Sequence, residues 1–336
     1  MSIGRLTKAD PRRRVRVDKG AVMAKVAIIG GAGHVGTFLV PRLVEAGHDV
    51  TNITRGQSKP YASHPAWRRV TQVVIDREAA DAAGTFGAQL AALAPDIVID
   101  MICFTPASAA QLADALAGKV QHLIHIGTIW VHGPSLATPT REEDARAPFG
   151  DYGIWKSQIE DDLLARARRG DLPATVVRPG HIVGPGWAPL NPAGHFNPQV
   201  FRDIRDGKPL VLPNFGLETV HHVHADDVAQ VVMRALTHWS SAVGEAFNAV
   251  SPAALSLRGY GEAMFRHFGH DPAISTAPFD QWKVGVASED ATATWDHISR
   301  SPCHSIAKAE RLLGYRPRYT ALAAVQESVA VLLGRG

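Results

Sequence analysis

The stretch AKVAIIGGAGHVG, Ala24 to Gly36, constrains the fold more than any other part of the chain. KVAIIG is a short apolar run rich in β-branched residues, as in a strand buried on both faces. Glycines follow at positions 30, 33 and 36, a GxxGxxG pattern, and a helical segment then runs from His34 to Ala46 and ends at Gly47. Glycine lets the backbone turn tightly and approach a pyrophosphate. The free N–H groups and dipole at the helix start favour the negative charge. Strand, glycine turn and helix in this order point to dinucleotide binding. Pro41 inside the helical segment removes one backbone hydrogen bond and allows a kink.

The same alternation continues. Strands are expected at HDVTNIT, at Arg69–Asp76, at Pro95–Phe104, at HLIHIGT and at PATVVRP. Helices are expected up to Leu93, at Ala107–Ala117 and at Tyr152–Arg169. Strands alternating with helices indicate an α/β fold with a doubly wound parallel sheet. Right-handed crossovers then place the loops after the strands along one edge, where ligands bind. Residues 181–218 and 251–320 are irregular, and between them DDVAQVVMRAL resumes the core pattern. The expected division is therefore a dinucleotide-binding domain, 23–180 with about 219–250, a smaller discontinuous substrate lobe, 181–218 with 251–320, and a final helix near 321–334.

The 336 residues are 46% hydrophobic and 20% charged, an ordinary globular composition. The net charge of +3 owes much to an Arg-rich stretch in residues 1–22. That segment reads as a disordered leader, and it leaves a nearly neutral body with no nucleic-acid partner implied. Cys103 and Cys303 imply no disulfide framework and suit a reducing compartment, so the cytoplasm is expected. No apolar run reaches membrane-spanning length.

The end of the second strand bears on which nicotinamide cofactor fits. An NAD site places a carboxylate there for the ribose hydroxyls. Here Thr54 occupies that place and Arg55 follows. A guanidinium pairs well with a phosphate, so NADP is expected over NAD. Asp76, ending the third expected strand, could accept a hydrogen bond from adenine or cap the next helix.

DYGIWKSQIE places Tyr152 and Lys156 one turn apart on one helix face. A free tyrosine has a pKa near about 10. A nearby ammonium would lower it and let the phenol exchange a proton with an alcohol or ketone. With the glycine turn and a hydroxyl residue after the fifth strand, this pair resembles the extended short-chain dehydrogenase/reductase superfamily, which includes the NAD-dependent epimerase/dehydratase enzymes and their Rossmann-type fold. HIGTIWVHG resembles that family's serine-rich strand end closing in V-Y-G, and its catalytic Ser/Thr then falls on Thr128. RPGHIVGPG, VHADDVA and KAERLLGYRP resemble three further family segments. The resemblance implies catalysis by Thr128, Tyr152 and Lys156. It implies cofactor contacts from Gly30, Gly33, His34, Val35, Gly36, Thr54, Arg55, Asp76, Lys156 and Pro179. It implies substrate contacts from Thr128, Trp130, His181 and Asn197. It also implies a small-molecule partner and a homodimer through helices that include the Tyr152 one.

Departures from the family narrow the chemistry. Ile129 and Trp130 replace the Asp-Glu that sugar 4,6-dehydratases carry after the catalytic Thr, so dehydration is rejected. Thr219, Val220 and His221 stand where nucleotide-sugar members carry Arg-Asp-Phe; Arg202, Arg205 or Lys208 could replace that Arg. HHVHADD offers metal-ligand types but in no common spacing, and no metal is expected. The leading expectation is an NAD(P)-dependent oxidoreductase or epimerase acting on a secondary alcohol or ketone of a polar, sugar-like molecule. A nucleotide-sugar 4-epimerase with tightly bound NAD is the first alternative. A non-catalytic NADP-binding or RNA-associated regulator is the second.

Overall fold

In the computed structural model, residues 23–334 are described, and the Arg-rich segment 1–22 lies outside them. β1 (Lys25–Ile29), β2 (Asp49–Thr54), β3 (Thr71–Val74), β4 (Ile97–Asp100), β5 (His122–Ile126) and β6 (Ala174–Pro179) join a seventh strand, Ala246–Ala249, in one parallel sheet. The spatial order is β3-β2-β1-β4-β5-β6 and then Ala246–Ala249. This is the doubly wound α/β arrangement, and its crossover point falls between β1 and β4, whose carboxyl ends open into a crevice.

Helices cover both faces. On one face α1 (His34–Glu45) packs on α7 (Ala225–Thr237), burying Leu39, Leu43, Val228 and Val232 against Val26 and Ile28. On the other face α3 (Phe86–Ala92), α4 (Pro106–Leu116) and α5 (Gly150–Arg169) bury Leu90, Leu112, Ile159 and Leu163 against Ala27, Ile29 and Val98. A third apolar cluster, running from Val183 to Val329, unites α6 (Gln199–Arg205), the helix Leu257–His267 and the C-terminal helix Ala321–Leu332 beyond the sheet's carboxyl edge. No described helix is long and apolar enough to cross a membrane.

α1 runs unbroken through Pro41. The stretch before Leu93 is two short helices, α2 (Arg77–Ala82) and α3, because Gly84 adopts φ +68° between them. The fourth strand ends at Asp100, well short of Phe104, since the chain turns there to form the crevice wall.

Gly36 shows why the first turn is glycine-rich. A Cβ at this position would overlap the carbonyl of Gly31, so α1 could not approach β1 so closely. Gly36→Ala should therefore lower stability by about 3 kcal/mol through overpacking. Urea unfolding measures this, and an unchanged midpoint would contradict the packing account.

Candidate active site

The crevice at the crossover point has a volume of about 730 Å³. Gly30 and Gly33 line it after β1, Thr54, Arg55, Gln57 and Ser58 after β2, and Asp76 and Arg77 after β3. Ile102, Phe104 and Thr105 close it after β4. Gly30 sits at φ +85°, which only glycine adopts without strain. Its amide is held by the Ile53 carbonyl at 2.9 Å. A glycine-edged crevice that ends at the N-terminus of α1 fits a dinucleotide, with the N–H groups of that terminus facing a pyrophosphate.

The other expected cofactor residues are placed as follows. Gly36 and Val35 are buried in the α1 packing. His34 stacks between the rings of Tyr61 and Trp187, and burial pushes its pKa down to about 3. Asp76 accepts the Ala79 amide at 3.2 Å and caps α2, so one of its two expected roles is filled by the fold itself. Pro179 ends β6, paired with Ala249, and is not one of the residues that line the crevice. Arg55 stands exposed beside Thr54, whose hydroxyl accepts the Gly56 amide at 3.0 Å.

Thr128, Tyr152 and Lys156 come together beside Phe104. Thr128 begins a short 3-10 turn, Ile129–His132, and its hydroxyl accepts the Trp130 amide at 3.2 Å. The Thr128 hydroxyl also lies near enough to Tyr152 to pull the phenol pKa down. Lys156 is 2% exposed, and its Nζ donates to the Ile126 carbonyl at 2.8 Å. Burial depresses its pKa to about 8, while Asp100 and Cys103 pull the other way. Tyr152 departs from the sequence expectation. Burial raises its pKa, the Thr128 hydroxyl offsets only part of this, and Lys156 is turned to a carbonyl with Nζ 6.0 Å from the phenol ring centre. A phenol so held stays protonated at neutral pH and is set to donate a proton.

An ion pair under the crevice escaped the sequence reading. Arg77 Nη1 donates to Asp100 Oδ1 at 2.6 Å, both side chains buried. Burial pushes the Asp100 pKa up, but Arg77 overcomes it and holds the carboxyl below its ordinary range. A carboxylate at the end of the apolar run IVID was the available signal.

On the far side of Tyr152 stand four further rings. Trp130 meets Tyr152 edge-on at 5.8 Å between ring centres, and His181 and His297 lie at 6.3 and 5.2 Å from Trp130. Phe196 stands 5.5 Å from His297, and Asn197 beside it donates to Asp290 at 2.9 Å. Arg300 lies between Trp130 and Phe149, 3.8 Å from each ring centre. Phe149, Phe196, His297 and Arg300 lie in segments without periodicity, and sequence reasoning missed them. The histidines of HHVHADD turn elsewhere: His221 to the Ser251 carbonyl, His222 to the Leu190 carbonyl and His224 to Glu327. Among the described residues no three metal-ligating side chains gather.

The sequence model of the NAD dependent epimerase/dehydratase family matches residues 26–249. The chain belongs to this family. Its members are NAD(P)-dependent oxidoreductases and epimerases of the extended short-chain dehydrogenase/reductase type. A 2'-dehydrokanamycin reductase from Streptomyces kanamyceticus is 30% identical over 214 residues, 64% of this chain and 58% of that relative, so the match spans less than two thirds of its length. The chloroplast stem-loop binding protein of 41 kDa b from Arabidopsis thaliana is 25% identical, over 97% of this chain and 85% of its own. Among solved structures, a UDP-glucose 4-epimerase from Thermotoga maritima shares the fold with a TM-score of 0.70 at 19% identity, over 92% of this chain and 99% of its own.

The depressed Lys156 pKa has a consequence for pH. Below about 8 the ammonium is charged in the folded protein, and above it the charge is lost, although an unfolded lysine would keep it to about 10.4. Stability should therefore rise as pH goes from 8 toward 10. Activity that needs the ammonium should fall over the same range. A pH series of kcat/KM and of urea midpoints measures both, and a flat activity profile up to pH 10 would contradict a role for charged Lys156.

Proposed function

We propose that this protein is an NADP-dependent reductase that converts a ketone on a polar, sugar-like ring to a secondary alcohol. The observation that carries the reading is that Thr128, Tyr152 and Lys156 gather beside Phe104, which lines the dinucleotide crevice. The nicotinamide group, when bound, supplies hydride to the carbonyl carbon. Thr128 orients the carbonyl oxygen by hydrogen bonding. Tyr152 donates its phenolic proton to that oxygen as charge develops there. Lys156 holds the end of β5 to α5 and so fixes the distance between Thr128 and Tyr152.

Arg55 supports NADP. It lines the crevice after β2 with Gln57 and Ser58 beside it, a cation and two polar groups placed for a phosphate on the ribose. The name of the Streptomyces relative supports ketone reduction on a sugar-type molecule. The stem-loop binding name of the plant relative favours a regulatory reading. Against it, this chain keeps Thr128, Tyr152 and Lys156 in one constellation. Two free cysteines fit a cytoplasmic location. A homodimer through α5 would cover Ile154 and Trp155, both exposed.

Tyr152→Phe should lower kcat by roughly 10²–10⁴-fold in NADPH consumption with a panel of keto-sugars, while circular dichroism stays unchanged. Full turnover in this variant would end the reductase reading. Arg55→Asp should weaken NADPH binding by about 10-fold or more and leave NADH nearly unaffected, as read by fluorescence titration. Equal losses for both cofactors would reject the phosphate role of Arg55.

A further inference from the structure

We propose that the substrate side of Tyr152 is a box of rings, built by Trp130, His181, Phe196 and His297, that takes an unphosphorylated hydroxylated ring, a simple glycoside or a cyclitol, rather than a nucleoside-diphosphate sugar. This rests on the reductase reading above and adds the class of substrate.

The rings form one continuous wall. His181 lies 4.5 Å from His297 and 6.5 Å from Phe196, and Trp130 stands between His297 and Tyr152. Phe196 is 46% exposed, bare aromatic surface at the end of this wall. Sugar and cyclitol rings present C–H faces that pack on such surfaces, and their hydroxyls bond imidazole nitrogens. His181 Nε2 is buried with no hydrogen-bond partner among the described residues, so the ring has a free polar edge within this wall.

The charges point the same way. Arg300 is a cation of this wall, and both its terminal nitrogens are taken by the protein: its guanidinium lies between Trp130 and Phe149, Nη1 donates to the Asp296 carbonyl at 2.6 Å and Nη2 to the Phe149 carbonyl at 2.7 Å. Burial holds His181 well below its ordinary pKa and His297 down to about 4, so both are neutral at pH 7. On α6 and after it, Arg205 pairs with Asp206 and Lys208 with Asp203, each at 2.8 Å. A diphosphate at this wall would give up its water without a cation to replace it. Arg202 has no carboxylate partner among the described residues, and a nucleotide-sugar reading would have to use it.

The test is binding to the wild-type protein saturated with NADP, by calorimetry, with methyl pyranosides, myo-inositol, uridine diphosphate and thymidine diphosphate as probes. The expected result is binding of at least one glycoside or the cyclitol, none of either diphosphate, and no effect of Arg202→Ala. His181→Phe and Phe196→Ala should each weaken the bound probe by about 10-fold or more with NADP affinity unchanged. Phe196 is exposed, so its variant reads the wall even if the His181 one misfolds. Binding of either diphosphate, no binding of any glycoside or cyclitol, or unchanged affinity in the Phe196→Ala protein would each overturn the proposal. Tyr152-dependent reduction confined to nucleotide-linked ketones would overturn the box alone. No reduction of any ketone would instead remove the reductase reading on which it rests.

Discussion

The hydrogen bond from Lys156 to the Ile126 carbonyl is the contact on which the site depends. It joins the middle of α5 to the last residue of β5, and so sets Tyr152 opposite Thr128. Burying an ammonium is expensive unless it is hydrogen-bonded and lies near a compensating charge. Asp100 provides that charge from the neighbouring strand, and Arg77 in turn keeps Asp100 ionised. Buried polar groups thus extend from Arg77 in the crevice lining through Asp100 to Lys156 on α5.

A second buried network holds the other half of α5. Glu160 receives the Arg178 guanidinium from β6 at two oxygens, one Nε contact being 2.8 Å, and Arg146 reaches the same carboxylate at 3.1 Å. Removing a single partner from such a network leaves an unpaired buried charge, which is costly. The helix that carries the YxxxK pair is therefore held by Lys156 and Glu160, one turn apart, as well as by Ile159 and Leu163 in the apolar core. Rigid placement of this kind suits a reaction in which two hydroxyls must meet one carbonyl oxygen.

The parts legible in the sequence were those with local signals. KVAIIG, the glycine turn and the α5 pattern each declare themselves within a dozen residues, and the resulting doubly wound sheet is the one observed. The seventh strand, AFNA, gave no such signal. It is four residues long with Asn248 in its middle, and that asparagine is accommodated because its amide donates to Glu142 at 2.8 Å and its side chain to the Ser305 carbonyl at 3.1 Å. The ring wall was equally hidden. Trp130, Phe196, His297 and Arg300 come from three segments far apart in the chain, and only tertiary packing brings them to Tyr152. The expectation that Lys156 would lower the Tyr152 pKa failed for a similar reason, since one helical turn of spacing says nothing of the carbonyl that captures the ammonium.

The most direct measurement is on the protein as purified. It is denatured, and any released nicotinamide cofactor is identified and quantified by mass spectrometry, with NADPH and NADH titrated into the native protein in parallel. A reductase that exchanges its cofactor predicts little retained nucleotide and tighter binding of NADPH than of NADH. Near-stoichiometric NAD(H) held through purification would contradict it in favour of an epimerase, and binding of neither cofactor would contradict catalysis altogether.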